Sequence, residues 1–434
     1  MRRVLFIWIS LLLSLTACLA APSTEGREFW LTFMRNIRQG ELSLFVSARQ
    51  NATVTVENPN THWTTSFAVS PGKTATCTIP RAQGYMSSNG KVESKGIRVT
   101  STADISLFAS NYADYTYDAT LILPITALGN NYIIQTWEDN EETAELAIVA
   151  ITPTTVTITP HARTKDGHVK NVSYDVRLQT GEVLQVQKAD EYNNFSGTYI
   201  HSDKPTAVFA GHACAKVPES NAWCDHLVEQ QRPTSYWGKQ FALVKTIGQQ
   251  GNHVMLTARD NNTVVRLNGT QVATLNALES YAFRLTENSA YVQTTEPVSC
   301  FLYPEGAHAN GLYGDPSSVT INPFEQRIRD ITFATFHTQQ SASNFVNIFT
   351  TNEGAQSMTL DGNSVSSFFE PLAGTTGMRF AQLPVSQGTH TLHTSEDGFV
   401  GYVYGLGYCE SYAYSLGSAN YSFYPEEHNG TPLD

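Results

Sequence analysis

Gly96-Ile-Arg-Val-Thr-Ser101, followed by Asp104-Ile-Ser-Leu-Phe-Ala109, is the stretch that organises this chain, because it returns three more times. The second copy is Gly197-Thr-Tyr-Ile-His-Ser202 with Pro205-Thr-Ala-Val-Phe-Ala210. The third is Ala290-Tyr-Val-Gln-Thr294 with Pro297-Val-Ser-Cys-Phe-Leu302, and the fourth is Gly388-Thr-His-Thr-Leu-His-Thr394 with Gly398-Phe-Val-Gly-Tyr402. The anchors Ser101, Ser202, Thr294 and Thr394 are separated by 101, 92 and 100 residues. A fixed period of this kind marks a repeat architecture.

Other elements keep the same period. Alternating apolar runs open each unit, at Phe29 to Phe33, Tyr132 to Thr136, Phe241 to Lys245 and Ile331 to Thr335. Second runs follow at Leu42 to Ala48, Ala144 to Ala150, His253 to Ala258 and Asn344 to Phe349. Short Val-Thr-Val segments come third, and Asn268-Gly269 and Asp361-Gly362 are dipeptides that suit tight hairpins. Period-2 runs bounded by Gly, Asn and Pro read as strands, and no segment carries a sustained helical stripe.

The expected fold is therefore all-β: four tandem β-sandwich-like repeats, each of about 100 residues and seven short strands, closely packed. A ring or propeller-like arrangement of the units is the alternative, although a propeller blade usually takes only ~40–50 residues. The pattern divides the chain into an export signal (1–20), repeats at 25–129, 130–237, 238–328 and 329–418, and a tail at 419–434.

Composition agrees with this reading and excludes several classes. The 434 residues include 49 Thr, 20 Tyr and 21 Phe, types that suit half-buried pleated surfaces. Charged residues make up 15% against about 25% in an ordinary soluble chain. The formal net charge of −12 argues against nucleic acid, which requires clustered Lys and Arg, and against anionic lipid.

Met1-Arg2-Arg3, the apolar run from Val4 to Leu15 and the small residues after it read as an export signal, too short to span a bilayer. Leu15-Thr16-Ala17-Cys18 fits a lipobox, which would lipidate Cys18; cleavage after Ala20 is the alternative. The chain is expected at the cell surface as an outer-membrane lipoprotein, or secreted, with the membrane reached only through such an anchor.

Export permits disulfides. Cys214 and Cys224 enclose a short loop and are the first expected pair, with Cys300 and Cys409 a weaker second. Cys77 completes the odd set, and the spacings carry no zinc pattern.

The densest polar cluster runs from Gly211-His212 through Cys214 to Trp223-Cys224-Asp225-His226-Leu227-Val228-Glu229-Gln230. On a helical turn His226 and Glu229 would share a face, and with His212 and Asp225 they are the candidate metal or acid–base residues. The repeat favours a structural role, because Asp118, Asp315 and Glu410 follow the anchor strands as Asp225 does, and Pro124, Pro233 and Pro323 come six to eight residues after the first three acids of the series. Acids recurring in differing company are expected to bond backbone amides. No nucleophile elbow, phosphate loop, dinucleotide fingerprint or zinc helix is present, so no catalytic residue, metal or cofactor is implied.

Glu25-Gly-Arg-Glu-Phe-Trp-Leu-Thr-Phe33, Ala119-Thr-Leu-Ile-Leu-Pro124, the cluster from Gly211 to Gln230 and Gly314-Asp-Pro-Ser317 resemble the amino-terminal domain of the IgG Fc-binding protein family. The resemblance runs from about Glu25 to near Gly417, and Cys-Asp-His-Leu-Val-Glu-Gln is its most specific element. It implies extracellular binding or adhesion to glycoprotein, mucin or protein ligands, without enzymatic activity. The von Willebrand-type repeats of the animal protein are missing from this chain. The competing functional classes are a carbohydrate-active enzyme on a β-sandwich scaffold and a structural surface-layer component.

Overall fold

The computed structural model describes residues 23–139, 142–189, 195–306, 313–336, 343–420 and 424. The export segment with Cys18, and the last residues of the tail, lie outside the described residues. Each recurrent stretch forms one long strand: Ile97–Ala113, Tyr199–Ala215 and Ser289–Pro304. In the fourth copy the strand is interrupted, giving Gly388–His393 and Phe399–Gly407.

The long strand has different neighbours along its two halves, and this makes the unit a sandwich. In the first unit its leading half pairs with Gly26–Leu31 and Ala52–Asn58. Its trailing half pairs with Glu41–Ala48 and Thr116–Ile122. Side chains from both halves, Val99 and Leu107 among them, enter one apolar cluster with Leu31, Leu44 and Val56. The changeover is a bulge: the register shifts between Gly26 and Glu28, opposite residues 100–105. The anchor hydroxyls serve this bend. Ser101 Oγ accepts from the Ala103 amide at 3.4 Å, and Thr294 Oγ1 donates to the Glu296 carbonyl at 2.7 Å. Thr394 Oγ1 accepts from the Glu396 amide at 3.4 Å, where the fourth strand is broken outright.

The first three copies give sheets of seven, eight and seven strands, and the fourth divides into sheets of four and five. The eighth strand of the second sheet is Val92–Glu93, a loan from the sequence of the first copy that pairs with Val183–Gln187.

The units close into a ring. Gln135 Nε2 donates to the Met255 carbonyl between the second and third, and Tyr402 Oη donates to the Val244 carbonyl between the third and fourth. The fourth meets the first through Phe45 and Phe336, whose ring centroids are 4.2 Å apart, and through Phe108 and Tyr414 at 4.5 Å. A bridge from Ser23 to Ala419, with the Thr24 amide donating to the Ser418 carbonyl at 3.1 Å, completes the seam. The apolar interior ignores unit borders accordingly: a single cluster includes Leu42 and Val54 of the first unit with Val346 and Leu392 of the fourth.

Cys214 and Cys224 form a disulfide, with Cα atoms 5.2 Å apart. The expectation of a bond between Cys300 and Cys409 is corrected: both are free thiols. Cys300 lies mid-strand opposite Leu256 in an apolar cluster, whereas Cys409 occupies a surface turn with φ of 49°.

The recurring prolines fasten each of the first three units to its own beginning. Pro124, Pro233 and Pro323 precede the 3-10 turns Ile125–Ala127, Thr234–Tyr236 and Phe324–Gln326, and they pack on Gly26, Gly129 and Gly238. A methyl group on Gly129 would stand 2.6 Å from Pro233 Cβ, inside van der Waals contact. Gly129→Ala should therefore lose roughly 1–3 kcal/mol, the usual cost of overpacking, while Gly377→Ala, with open space around its Cα, should be neutral or slightly stabilising. Equal denaturation midpoints for the two variants would refute the fastening.

Candidate functional site

The trailing half of every long strand turns back through a hairpin whose returning strand lies at the centre of the ring. These strands are Thr116–Ile122, Asp225–Gln230, Val319–Thr320 and Glu410–Ser415, and all are buried along their length. Each pairs on one side with its own long strand. The outward edge would leave a row of amides facing a dry interior, where an unpaired N–H costs about 1–3 kcal/mol.

Side chains of the neighbouring units take those amides. Asp118 Oδ1 accepts from the Ala119 amide at 2.9 Å and the Ala413 amide at 3.4 Å. Its Oδ2 accepts from the Val228 amide at 3.2 Å, the Ser318 amide at 3.1 Å and Ser318 Oγ at 3.2 Å. One carboxylate thus binds backbone from all four units. Asp225 Oδ1 accepts from the Tyr117 amide at 2.6 Å and the His226 amide at 2.7 Å. Glu229 accepts from the Thr320 amide at 2.8 Å and from Thr120 Oγ1. Gln230 Oε1 takes the Leu123 amide at 2.7 Å, and Thr120 Oγ1 takes the Gln230 amide at 3.0 Å.

The acids expected to recur at one position do not occupy one position. Asp225 and Asp315 stand eight residues before Pro233 and Pro323, whereas Asp118 stands six before Pro124. A two-residue offset preserves the strand face, so Asp118 and Asp225 still point into the hub, but Asp118 alone reaches its centre. Sequence spacing could not distinguish these positions; the two-residue difference from the proline was the available signal.

Burial dominates the electrostatics. Desolvation raises Asp118 and Asp225 well above the carboxylate range, against the pull of the amides they bind, and the nearby Asp315 raises Asp225 further. Burial pushes Glu229 up to about 7, opposed by its bonds from Thr120 and Thr320 and by Arg232.

The candidate metal or acid–base set does not assemble. Asp225, His226 and Glu229 lie on a strand, not on a helical turn, so residues three apart face opposite ways and His226 points away from Glu229. His226 Nε2 lies 3.5 Å from Asn111 Nδ2, and His212 Nε2 lies 3.7 Å from Asp139 Oδ1, both sealed from solvent. Desolvation lowers the two imidazoles to about 4 and about 3, so both are neutral in the fold. Among the described residues no group of three or more His, Cys, Asp or Glu converges as metal ligands would.

A cleft of about 870 Å³ lies at the seam between the first and fourth units. It is lined by Arg27, Arg49, Glu25 and Asp104, whose charges pair with one another: Arg27 with Asp104 at 2.7 Å, and Arg49 with Glu25. The cleft is a charged joint between units.

Asp118→Ala should strip acceptors from the Val228, Ser318 and Ala413 amides at once and cost at least roughly 3 kcal/mol in denaturant unfolding. Asp118→Asn, which keeps one oxygen, should cost less. An alanine variant as stable as the parent would remove the hub from the account.

A second expectation concerns pH. Burial raises Glu145, bonded by Gln187 Nε2 at 2.8 Å, to about 8, and Glu229 to about 7. A carboxyl that binds its proton more tightly when folded stabilises the fold at acid pH, and that stability drains away as pH rises from the unfolded value of 4.5 through the folded one. The contribution of these two carboxyls to unfolding free energy should therefore fall between about pH 5 and about pH 8, against a rise below about pH 6.5 from the buried His212 and His226, and Glu145→Gln should remove its share of the fall. An unchanged slope in the variant would contradict the burial of this charge.

A family model described as IgGFc binding protein matches residues 118–405. The IgGFc-binding protein of Homo sapiens is 23% identical over 333 residues, a match covering 73% of this chain and 6% of the human protein's length. Among solved structures, a GH78 family rhamnosidase of Bacillus sp. GL1 aligns with a TM-score of 0.12 and 9% identity, over 73% of this chain and 55% of its own. A tetra-tandem repeat from the extending region of a large adhesion protein aligns with a TM-score of 0.10 and 11% identity, over 86% of this chain and 92% of its own. Neither score is high enough to bear on fold or activity.

Proposed function

The chain belongs to the IgGFc-binding protein family, and from that premise we propose that it is an exported, non-catalytic binding or adhesion protein for an extracellular glycoprotein, mucin or other protein ligand. One observation carries the non-catalytic part of the reading. The acids and histidines richest in chemical potential, Asp118, Asp225, His212, His226 and Glu229, are withdrawn from solvent, and the carboxylates are occupied with backbone amides of neighbouring units. A catalytic acid or base must reach the proton it transfers. The low charge of the chain supports partners recognised by contact and hydrogen bonding in preference to long-range steering. No described helix is long and apolar enough to cross a membrane.

Surface capture of the mature chain on immobilised mucin, immunoglobulin Fc and an array of extracellular glycoproteins tests this. Saturable binding to at least one of them is expected. Binding to none would defeat the proposal, and release of reducing sugar from any polysaccharide, abolished by one Asp or Glu substitution, would replace it with an enzymatic one.

A further inference from the structure

Arg232 brings a full charge into the interior of the ring without a counter-charge bonded to it. The residue is 7% exposed. A guanidinium carries five N–H donors, and among the described residues this one makes one hydrogen bond, from Nη1 to Ser418 Oγ of the fourth unit at 2.9 Å. Glu229 acts on it through space, but both oxygens of that carboxyl are engaged elsewhere, by the Thr320 amide at 2.8 Å and by Thr120 Oγ1. Burial lowers Arg232 to about 10, which leaves it charged at neutral pH. Burial raises Glu229 to about 7, so at neutral pH it compensates the guanidinium only in part.

The charge belongs to this position and not to the repeat. Arg232 precedes the recurring proline of the second unit, and the residues in the same place in the first and third units are Leu123 and Asn322, both buried. Asn322 Nδ2 is satisfied by the fourth unit, donating to Ser415 Oγ at 2.7 Å and to the Gly417 carbonyl at 2.6 Å. The repeat thus accommodates a neutral side chain here, whereas an uncompensated guanidinium in a dry interior is heavily penalised.

A cavity adjoins the charge. It lies between the second and third units, with about 10 Å³ open to the centre of a water-sized guest, and Arg232, Tyr236 and Trp237 meet Ser299, Phe301 and Thr320 around it. Strand alternation presents Ser299 and Thr320 to the second unit. Their neighbours Val298, Cys300, Val319 and Ile321 belong to the apolar cluster inside the third unit, so the two hydroxyls take the opposite face. The space suits one monatomic guest or one water.

We propose that this cavity is a halide site, in which one chloride ion sits against the Arg232 guanidinium and the hydroxyls of Ser299 and Thr320. The chemistry selects the guest. Water would bond the donors and leave the charge uncompensated, whereas a monatomic anion accepts from guanidinium and hydroxyl alike and cancels the charge where it lies. Sulfate, phosphate and carboxylate ligands are too large for the space. The site spans units: Arg232 comes from the second, Ser299 and Thr320 come from the third, and Arg232 also holds Ser418 of the fourth. Chloride in the surrounding medium therefore favours the closed ring by mass action.

Anomalous diffraction from crystals of the mature chain soaked in sodium bromide tests the site directly. Thermal unfolding in sodium chloride, against sodium gluconate of equal ionic strength, tests it in solution. The expected map has a bromide peak in contact with the Arg232 guanidinium. The folding equilibrium constant is expected to climb with chloride and not with gluconate, by up to about tenfold per tenfold chloride once the site is mostly filled, and Arg232→Met should abolish that dependence. If Arg232→Met does not fold, the bromide map and the anion comparison on the parent chain decide alone. Water alone in the cavity, with stability indifferent to the anion, would overturn the site. A bromide peak without chloride-specific stability would mark an adventitious ion only and overturn it as well. Chloride-specific stability that survives in Arg232→Met would place the anion elsewhere, with the same consequence.

Discussion

The constraint on which this molecule depends is the outward edge of four buried strands. A strand at the edge of a sheet carries unpaired amides, and proteins ordinarily expose, cover or pair such an edge. Here the edges of Thr116–Ile122, Asp225–Gln230, Val319–Thr320 and Glu410–Ser415 face one another at the axis of a ring, without a backbone ladder between them. Side-chain oxygens fill the gap. Asp118, Asp225, Glu229, Gln230 and Thr120 accept from amides of neighbouring hairpins, so the ring is closed by hydrogen bonds that require every unit to be in place.

That solution has an electrostatic consequence. Carboxylates make good acceptors for several amides because each offers about four lone-pair sites, yet an ionised carboxylate is expensive in a dry interior. The cluster sits between these demands. Backbone amides draw the pKa values of Asp118 and Asp225 down while burial and mutual repulsion push them up, and burial is the larger influence. The acids of the hub therefore bind their protons more tightly in the fold than in the unfolded chain. The same packing withdraws these acids from solvent, with both oxygens of Asp118 and of Glu229 and Oδ1 of Asp225 taken by hydrogen bonds across the hub.

Much of this was legible in the sequence, for definable reasons. Strands announce themselves by alternation, and a period near 100 residues over four copies could arise only from repeated units. The short spacing of Cys214 and Cys224 pointed to the bond that forms. What could not be read was how units meet. Ring closure depends on Phe45 against Phe336 and on Ser23 against Ala419, contacts that span most of the chain and leave no local pattern. His226 and Glu229, three apart, would share a face only on a helical turn. The β-branched and apolar residues between them belong to a strand, and that reading sends the two side chains to opposite faces.

The hub and the hairpin turns are two ends of the same elements, so what fixes one fixes the other. A strand gains about 3.3 Å per residue, so a carboxylate at the axis and an aromatic ring at the turn are only a few residues apart on one rigid ribbon. Asp118 and Tyr115 share a hairpin, as do Asp225 and Trp223. The interior hydrogen bonds that fix the four returning strands relative to one another therefore also fix the relative positions of their turns. The buried acids thus set the placement of the four hairpin turns as well as the closure of the ring.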